Sequence, residues 1–163
     1  KDFIDLVMEV KPHQVTLVPD APDAITSNNG WDTMKYQKLL FEICQNFKKA
    51  GIRTSIFVNP DVEMVRNAKL CGTDRIELYT ESYATNFPIN PEAAIKEYYL
   101  AAEEAVKQGL GLNAGHDLNL HNLNYFSKTI PQLLEVSIGH ALISDALYLG
   151  LEETVRRYLK ELL

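Results

Sequence analysis

Five short apolar segments alternate along the chain with longer amphipathic segments, and this alternation limits the folds that the chain can adopt. The short segments are rich in Val, Ile, Leu and Phe and bounded by Gly, Pro, Asn or Asp; they cover residues 14–18, 53–58, 75–79, 110–113 and 135–138. Strands separated by helices predict a parallel sheet with right-handed crossovers. No low-complexity stretch or linker interrupts the pattern, so we expect a single domain over residues 1–163.

The helical segments have recognisable ends. Capping residues, a proline in the first turn and a glycine after the last turn mark helix boundaries. On these signals, three helices are expected to run from Asn59-Pro60 to Gly72, from Asn90-Pro91 to Gly109, and from Trp31-Asp32 to Ala50-Gly51.

Two architectures fit the alternation: an open doubly wound sheet and a (β/α)8 barrel. A strand between two helix layers is apolar on both faces, whereas here Ile76 and Leu78 alternate with Arg75, Glu77 and Tyr79, and the other strands show a similar alternation. Polar residues on one face are expected to line a lumen, which favours the barrel. Since the complete fold has eight strands, we expect a barrel truncated to about five βα units that lacks the three N-terminal ones.

Charge and composition exclude several classes of protein. The net charge is −6 with 22 acidic and 16 basic residues, which argues against a nucleic-acid or anionic membrane surface. No apolar run is long enough for a membrane helix. Cys44 and Cys71 match no zinc or redox spacing, and a reduced, cytoplasmic protein is expected.

Chemistry in a barrel of this type takes place where strands end and βα loops begin. Glu77 lies inside a strand on the predicted lumen side, and His116 directly follows another strand. Gly139 and His140 open a short predicted helix after the last strand, where free backbone N–H groups attract a phosphate. These residues are the candidates for proton transfer, charge stabilisation and phosphate binding.

Each candidate also has a structural interpretation. Glu77 can instead form an ion pair with Arg75 or Arg53, and His116 can be a hydrogen-bonded loop residue. A metal site at His116, Asp117 and His121 is disfavoured, since the two histidines are five residues apart rather than four.

Several segments together resemble the pyridoxine 5'-phosphate synthase family. The matching stretches are Lys11-Pro12-His13, Leu17-Val18-Pro19, Ala50-Gly51-Ile52, Ile76-Glu77-Leu78-Tyr79-Thr80, Asn113-Ala114-Gly115-His116 with His121-Asn122, and Ile138-Gly139-His140-Ala141. They occur in family order across nearly the whole chain, and the match begins about a third of the way into the family. The resemblance implies a (β/α)8 barrel that needs no metal or organic cofactor and assembles as a homo-oligomer, typically an octamer.

The resemblance also implies a reaction and the residues that perform it. The family condenses 3-amino-2-oxopropyl phosphate with 1-deoxy-D-xylulose 5-phosphate and releases pyridoxine 5'-phosphate, phosphate and water. By position, His116 resembles the proton donor and Glu77 the charge that stabilises the transition state. Gly139 and His140 resemble the contact to the aminoketone phosphate, and Thr26 resembles a contact to the deoxyxylulose phosphate.

Two departures from the family pattern affect these expectations. Asp117 stands where the family often has a glycine that contacts the aminoketone, so it is a candidate binding residue with an added charge. The family's other acid–base residues and a phosphate-binding arginine precede the matched part, so this chain alone is expected to be inactive. The alternatives are another phosphate-binding barrel enzyme and a truncated, non-catalytic barrel module; an aldolase is disfavoured because no strand ends at a lysine.

Overall fold

The five predicted strands form one parallel sheet in a computed structural model that describes residues 3–21 and 23–163. The strands are β1 (Gln14–Leu17), β2 (Arg53–Val58), β3 (Arg75–Leu78), β4 (Gly111–Gly115) and β5 (Leu133–Ser137). The helices are α1 (Phe3–Val10), α2 (Gln37–Lys49), α3 (Val62–Leu70), α4 (Glu81–Asn86), α5 (Pro91–Gln108), α6 (Leu123–Thr129), α7 (His140–Leu149) and α8 (Leu151–Glu161). Each predicted strand is confirmed, with its ends shifted by at most a few residues.

The strand order in the sheet is β1-β2-β3-β4-β5, the same as the order in the sequence, and all four pairings are parallel. A doubly wound sheet reverses direction at a switch point, but this one does not. When every crossover is right-handed and proceeds in one direction, the helices between the strands collect on one face. The described sheet is therefore compatible with a (β/α)8 barrel.

One face of the sheet packs against the helices and forms the core. Ile56 and Val58 of β2, Ile76 and Leu78 of β3 and Leu112 of β4 are at most 1% exposed and belong to one apolar cluster. Aromatic side chains from α4, α5 and α6 complete this cluster through edge contacts among Tyr83, Tyr98 and Phe126. The alternation read from the sequence thus marks the helix-facing side.

The other face carries a polar network that crosses several strands. Arg53 of β2 and Arg75 of β3 both pair with Glu135 of β5, at 2.8 and 2.9 Å. Arg53 also donates to Gln14 of β1 (2.7 Å), and Arg75 donates to Asn113 of β4 (2.9 Å). In a flat sheet β2 and β5 would lie about 14 Å apart, so these bonds indicate a sheet curved toward a polar interior.

The predicted helix ends are confirmed for one helix and shifted for two. Asn90 caps α5 and Gly109 ends it in the left-handed conformation. For α3 the prediction was wrong at the start, because the cap is Asp61, whose carboxylate accepts from the Glu63 and Met64 amides. For α2 the start was also wrong: turns follow Trp31-Asp32, and the helix begins only at Gln37.

The cap of α5 gives a first testable expectation. The Asn90 side chain accepts a hydrogen bond from the Ala93 amide at 3.0 Å, so Asn90→Ala is expected to lower the free energy of unfolding by about 1 kcal/mol. Asn90→Ser keeps a capping oxygen and should lower the free energy of unfolding by only a few tenths of the loss expected for Asn90→Ala. Urea unfolding of both variants measures the difference; equal losses would mean that the side chain does not act as a cap.

Within residues 3–21 and 23–163, no helix is long and apolar enough to cross a membrane.

Candidate functional site

The predicted site residues surround one cleft at the carboxyl end of the sheet. Glu77 lies in β3, His116 directly follows β4, and Gly139 lies two residues after β5. All three contribute to the wall of a cleft of about 790 Å³, whose other lining residues are Ser137, Ile138, His140, Ile143 and Ser144. The convergence expected from strand ends is therefore present, and the roles of these residues remain predictions.

Glu77 is a buried carboxyl group, and neither Arg53 nor Arg75 forms an ion pair with it among the described residues. The Thr16 hydroxyl donates to it at 3.3 Å, whereas Arg53 and Arg75 pair with Glu135. Burial raises the pKa of the Glu77 carboxyl; hydrogen bonds from Thr16 and Ser137 and the nearby His116 act in the opposite direction. The ion pair considered as the structural interpretation is thus not formed, and the charge of Glu77 remains available to a cation in the cleft.

His116 is held in an unusual backbone conformation at the mouth of the cleft. Its φ is +60°, a left-handed value that costs a residue with a Cβ atom free energy. Its amide donates to the Ser137 carbonyl at 2.9 Å. Gly115 before it has no room for a side chain, since a Cβ there would lie 2.1 Å from the Ser137 carbonyl oxygen. The close approach of β4 and β5 therefore positions the imidazole.

The structure brings Thr26 and Asp117 to the same imidazole. Thr26, exposed on the segment after β1, lies with its hydroxyl 2.9 Å from Nε2 of His116. Asp117 Oδ2 lies 2.9 Å from Nδ1. Its backbone N–H donates to the Gly115 carbonyl of β4 and to the hydroxyl of Thr80, which follows β3, so the group that Asp117 presents is its carboxylate.

The start of α7 is open to a ligand. Gly139 is its N-cap and offers no side-chain cap, and a Cβ at this position would meet nothing within 4 Å. His140, the first helical residue, has its ring centroid 6.0 Å from that of His116. Uncapped amides in the first turn of a helix attract an anion.

Sequence reasoning did not assign a role to the aromatic wall beside His116. The Tyr79 and Phe57 rings lie 5.8 and 6.5 Å from the imidazole and 5.3 Å from each other. Burial raises the pKa of the Tyr79 hydroxyl. Phe57 pairs with Glu77 in the neighbouring strand, and Tyr79 lies two residues after Glu77, so both are expected on the same lumen side of the sheet as Glu77. This alternation is the sequence signal that could have identified them.

The remaining histidines and the cysteines lie outside the cleft. His13 precedes β1 at the amino end of the sheet, as expected, and His121 is exposed. Burial raises the pKa of the Cys44 thiol to about 11 and that of Cys71 to about 12, which disfavours thiolate chemistry. Among the described residues, no group of three His, Cys, Asp or Glu side chains is placed to hold a metal ion.

The parallel sheet with its polar interior is compatible with an α/β enzyme of the barrel class. The cleft at the carboxyl end of this sheet combines a buried carboxyl, a histidine and an open helix start, and the helix start suits a phosphate-bearing ligand. The family described as "Pyridoxal phosphate biosynthesis protein PdxJ" matches residues 1–163, and the chain belongs to this family. The resemblance read from the sequence motifs is thereby confirmed.

Curated relatives agree with the family match. The chain is 65% identical over 161 residues to a pyridoxine 5'-phosphate synthase of Cytophaga hutchinsonii, covering 99% of the chain and 68% of the relative. It is 64% identical over 157 residues to that of Bacteroides thetaiotaomicron, covering 96% of the chain and 66% of the relative. The chain thus spans about two thirds of the length of these relatives.

Solved structures show a likeness of fold alone. The chain superposes with a TM-score of 0.58 on a chain of the Amycolatopsis orientalis BexX/CysO complex, at 14% identity, covering 97% of this chain and 59% of that one. An HMG-CoA lyase from Brucella melitensis gives a TM-score of 0.51 at 19% identity, covering 76% of this chain and 47% of that one.

Proposed function

We propose that this chain carries the condensation site of a pyridoxine 5'-phosphate synthase, which joins 3-amino-2-oxopropyl phosphate to 1-deoxy-D-xylulose 5-phosphate. The products are pyridoxine 5'-phosphate, phosphate and water. The observation that carries the proposal is the placement of Glu77, His116 and the start of α7 around one cleft. Condensation of an amine with a ketone passes through an iminium-like cation and several proton transfers, and these groups match those requirements.

Glu77 stabilises the cationic intermediate. Its carboxylate is buried, so a positive charge that develops beside it is attracted more strongly than it would be in water. The hydrogen bond from Thr16 keeps the carboxylate in place on the lumen side of β3. Glu77 thus provides a fixed charge that needs no rearrangement when the cation forms.

His116 donates the proton. An imidazole changes charge near neutral pH, which suits a group that has to give and take protons in turn. Its half-buried position keeps one edge of the ring accessible from the cleft.

The start of α7 and the segment after β1 bind the two phosphate-bearing substrates. The amides at Gly139 and His140 face the aminoketone phosphate, and the absence of a side-chain cap leaves them available. Thr26, whose hydroxyl lies 2.9 Å from Nε2 of His116, contacts the deoxyxylulose phosphate. Local amide dipoles outweigh the distant negative charges of the surface, which are screened over about 8 Å.

We further propose that the five βα units are the last five of a (β/α)8 barrel, so that the chain corresponds to the C-terminal two thirds of the family. Within the described residues, β1 and β5 each pair with one strand, and α7 buries none of its side chains. Leu134, Ile143 and Leu147 are more than half exposed. The missing units would cover this surface, and the homo-oligomer implied by the resemblance would add further contacts.

An assay of two proteins tests the proposed function. One is this chain alone; the other, the completed enzyme, is this chain joined to the part of the C. hutchinsonii relative that has no counterpart in it. With both substrates, the completed enzyme is expected to release phosphate and form pyridoxine 5'-phosphate, while the chain alone shows little or no turnover.

The proposal that the chain lacks required units and the proposed function can each be contradicted separately by this assay. Full activity of the chain alone would overturn the proposal that it lacks required units. A folded completed enzyme that forms no product from the two substrates would overturn the proposed function itself.

A further inference from the structure

Both ring nitrogens of His116 have a polar partner. Nδ1 lies 2.9 Å from Asp117 Oδ2, and Nε2 lies 2.9 Å from the Thr26 hydroxyl oxygen. An ionised carboxylate only accepts hydrogen bonds, so the hydrogen between Nδ1 and Asp117 belongs to the imidazole. In the neutral ring Nε2 then carries the lone pair and accepts from Thr26.

The backbone that carries the Asp117 carboxylate is held in place by contacts at the end of β4. The Asp117 amide donates to the Gly115 carbonyl at 2.9 Å and to Thr80 Oγ1 at 3.2 Å, and the Thr80 hydroxyl donates to the same carbonyl. The His116 amide is bonded to the Ser137 carbonyl. Contacts to β4, β5 and Thr80, which lies two residues after β3, therefore fix the backbone of both members of the carboxylate–imidazole pair.

We infer that Asp117 is a positioning residue for His116, which ensures that the proton transferred to substrate leaves from Nε2. This inference rests on the proposed role of His116 as proton donor. It gives the Asp117 carboxylate a function in proton transfer rather than in substrate binding, and it explains how a negative charge is accommodated beside a site for phosphorylated substrates: the charge is directed at the imidazole.

The proton step follows from this arrangement. In the imidazolium form Nδ1–H donates to Asp117, and Nε2–H points to the position that the Thr26 hydroxyl occupies in the structure. A substrate oxygen that replaces the Thr26 hydroxyl as the partner of Nε2 takes the proton: the Nε2–H bond breaks, an O–H bond forms, and the ring keeps its Nδ1–H on Asp117. Glu77 lines the same cleft from β3 and acts on the cationic carbon framework.

Kinetics of the completed enzyme distinguish positioning from substrate contact. Asp117→Asn is expected to lower kcat about 10- to 100-fold, the usual cost of losing a partner that orients a functional side chain, and to leave KM for both substrates unchanged. Asp117→Glu should recover part of kcat because it restores the carboxylate. The matched control is Asp5→Asn on α1, an exposed residue, which should leave both constants unchanged.

A rise in KM at unchanged kcat would overturn the inference and show that Asp117 contacts substrate. Equal kcat values for Asp117→Asn and the native sequence would overturn it as well.

A second measurement does not depend on activity. Nitrogen-15 NMR of the histidine-labelled chain, with the His116 signals assigned by their loss in His116→Asn, reports which nitrogen carries the hydrogen in the neutral ring. The Nδ1–H form is expected in the native sequence, and a shift toward the Nε2–H form in Asp117→Asn. A native chain with the Nε2–H form would overturn the pairing, whereas the expected tautomer in an inactive completed enzyme would contradict the proposed function alone.

Discussion

Replacing His116 by asparagine in the completed enzyme is expected to lower kcat about 10²- to 10⁴-fold, the usual contribution of a positioned general acid. The imidazole lies in the cleft with Glu77 and the start of α7, and asparagine has no group that gives and takes protons near neutral pH. Steady-state kinetics with both substrates measure the loss. His13→Asn is the matched control, because His13 is exposed at the opposite end of the sheet, and its kcat should not change.

Asparagine is chosen because of the backbone at this position. With φ at +60°, asparagine is among the residues that tolerate the conformation best. The thermal midpoint of His116→Asn is therefore expected to equal or exceed that of the native protein. A folded variant that retains native kcat would show that His116 is a structural loop residue, and a variant that unfolds would contradict the account of its backbone.

Glu77→Gln is expected to produce two opposite effects, a loss of activity and a gain in stability. Loss of the carboxylate removes the charge proposed to stabilise the cation, and kcat should fall about 10²- to 10³-fold, as for other groups that stabilise charge in a transition state. The shape of the side chain is retained, so the hydrogen bond from Thr16 has an acceptor in the variant. Kinetics of the completed enzyme measure the loss.

The gain in stability depends on pH in a defined direction. Because burial raises the pKa of the Glu77 carboxyl, the unfolded chain loses this proton at a lower pH than the folded chain. The contribution of the protonated Glu77 to the free energy of unfolding is complete at a pH below the ordinary glutamate pKa of 4.5. This contribution is lost as the pH rises through the raised pKa of the folded chain. Glu77→Gln, which cannot ionise, should therefore unfold at higher urea than the native chain at neutral pH.

The difference in stability between Glu77→Gln and the native chain should disappear at a pH below the ordinary glutamate pKa of 4.5. Glu42→Gln on α2, an exposed position, is the control and should show no such pH-dependent gain. A Glu77→Gln variant that is less stable than the native chain at neutral pH would show that the ionised carboxylate has a favourable partner in the folded protein.

Local sequence signals predicted the elements well where a single residue determines a boundary. Asn90, Pro91 and Gly109 define α5 through one hydrogen bond, one fixed φ and one left-handed residue, and all of these depend only on neighbours in the chain. The start of α3 was misplaced because Asn59, next to a proline, resembles a cap, but in the structure its amide oxygen accepts from Gly30, 29 residues earlier. The Asn59 side chain, which the local sequence signals had assigned to the helix cap, therefore forms a tertiary contact instead.

The alternation of polar and apolar residues determined the class of fold, the helix-facing side of each strand and the strand ends at which Glu77, His116 and Gly139 stand. These features follow from periods of two and 3.6 residues, which are written in the sequence itself. The tertiary structure alone decided that Arg53 and Arg75 pair with Glu135 rather than with Glu77, and that Thr26 and Asp117 contact the two ring nitrogens of the same imidazole. These contacts depend on the curvature of the sheet and on the left-handed backbone at His116. Both bring together groups that lie up to 90 residues apart in the sequence, and no periodic pattern in the sequence relates such groups.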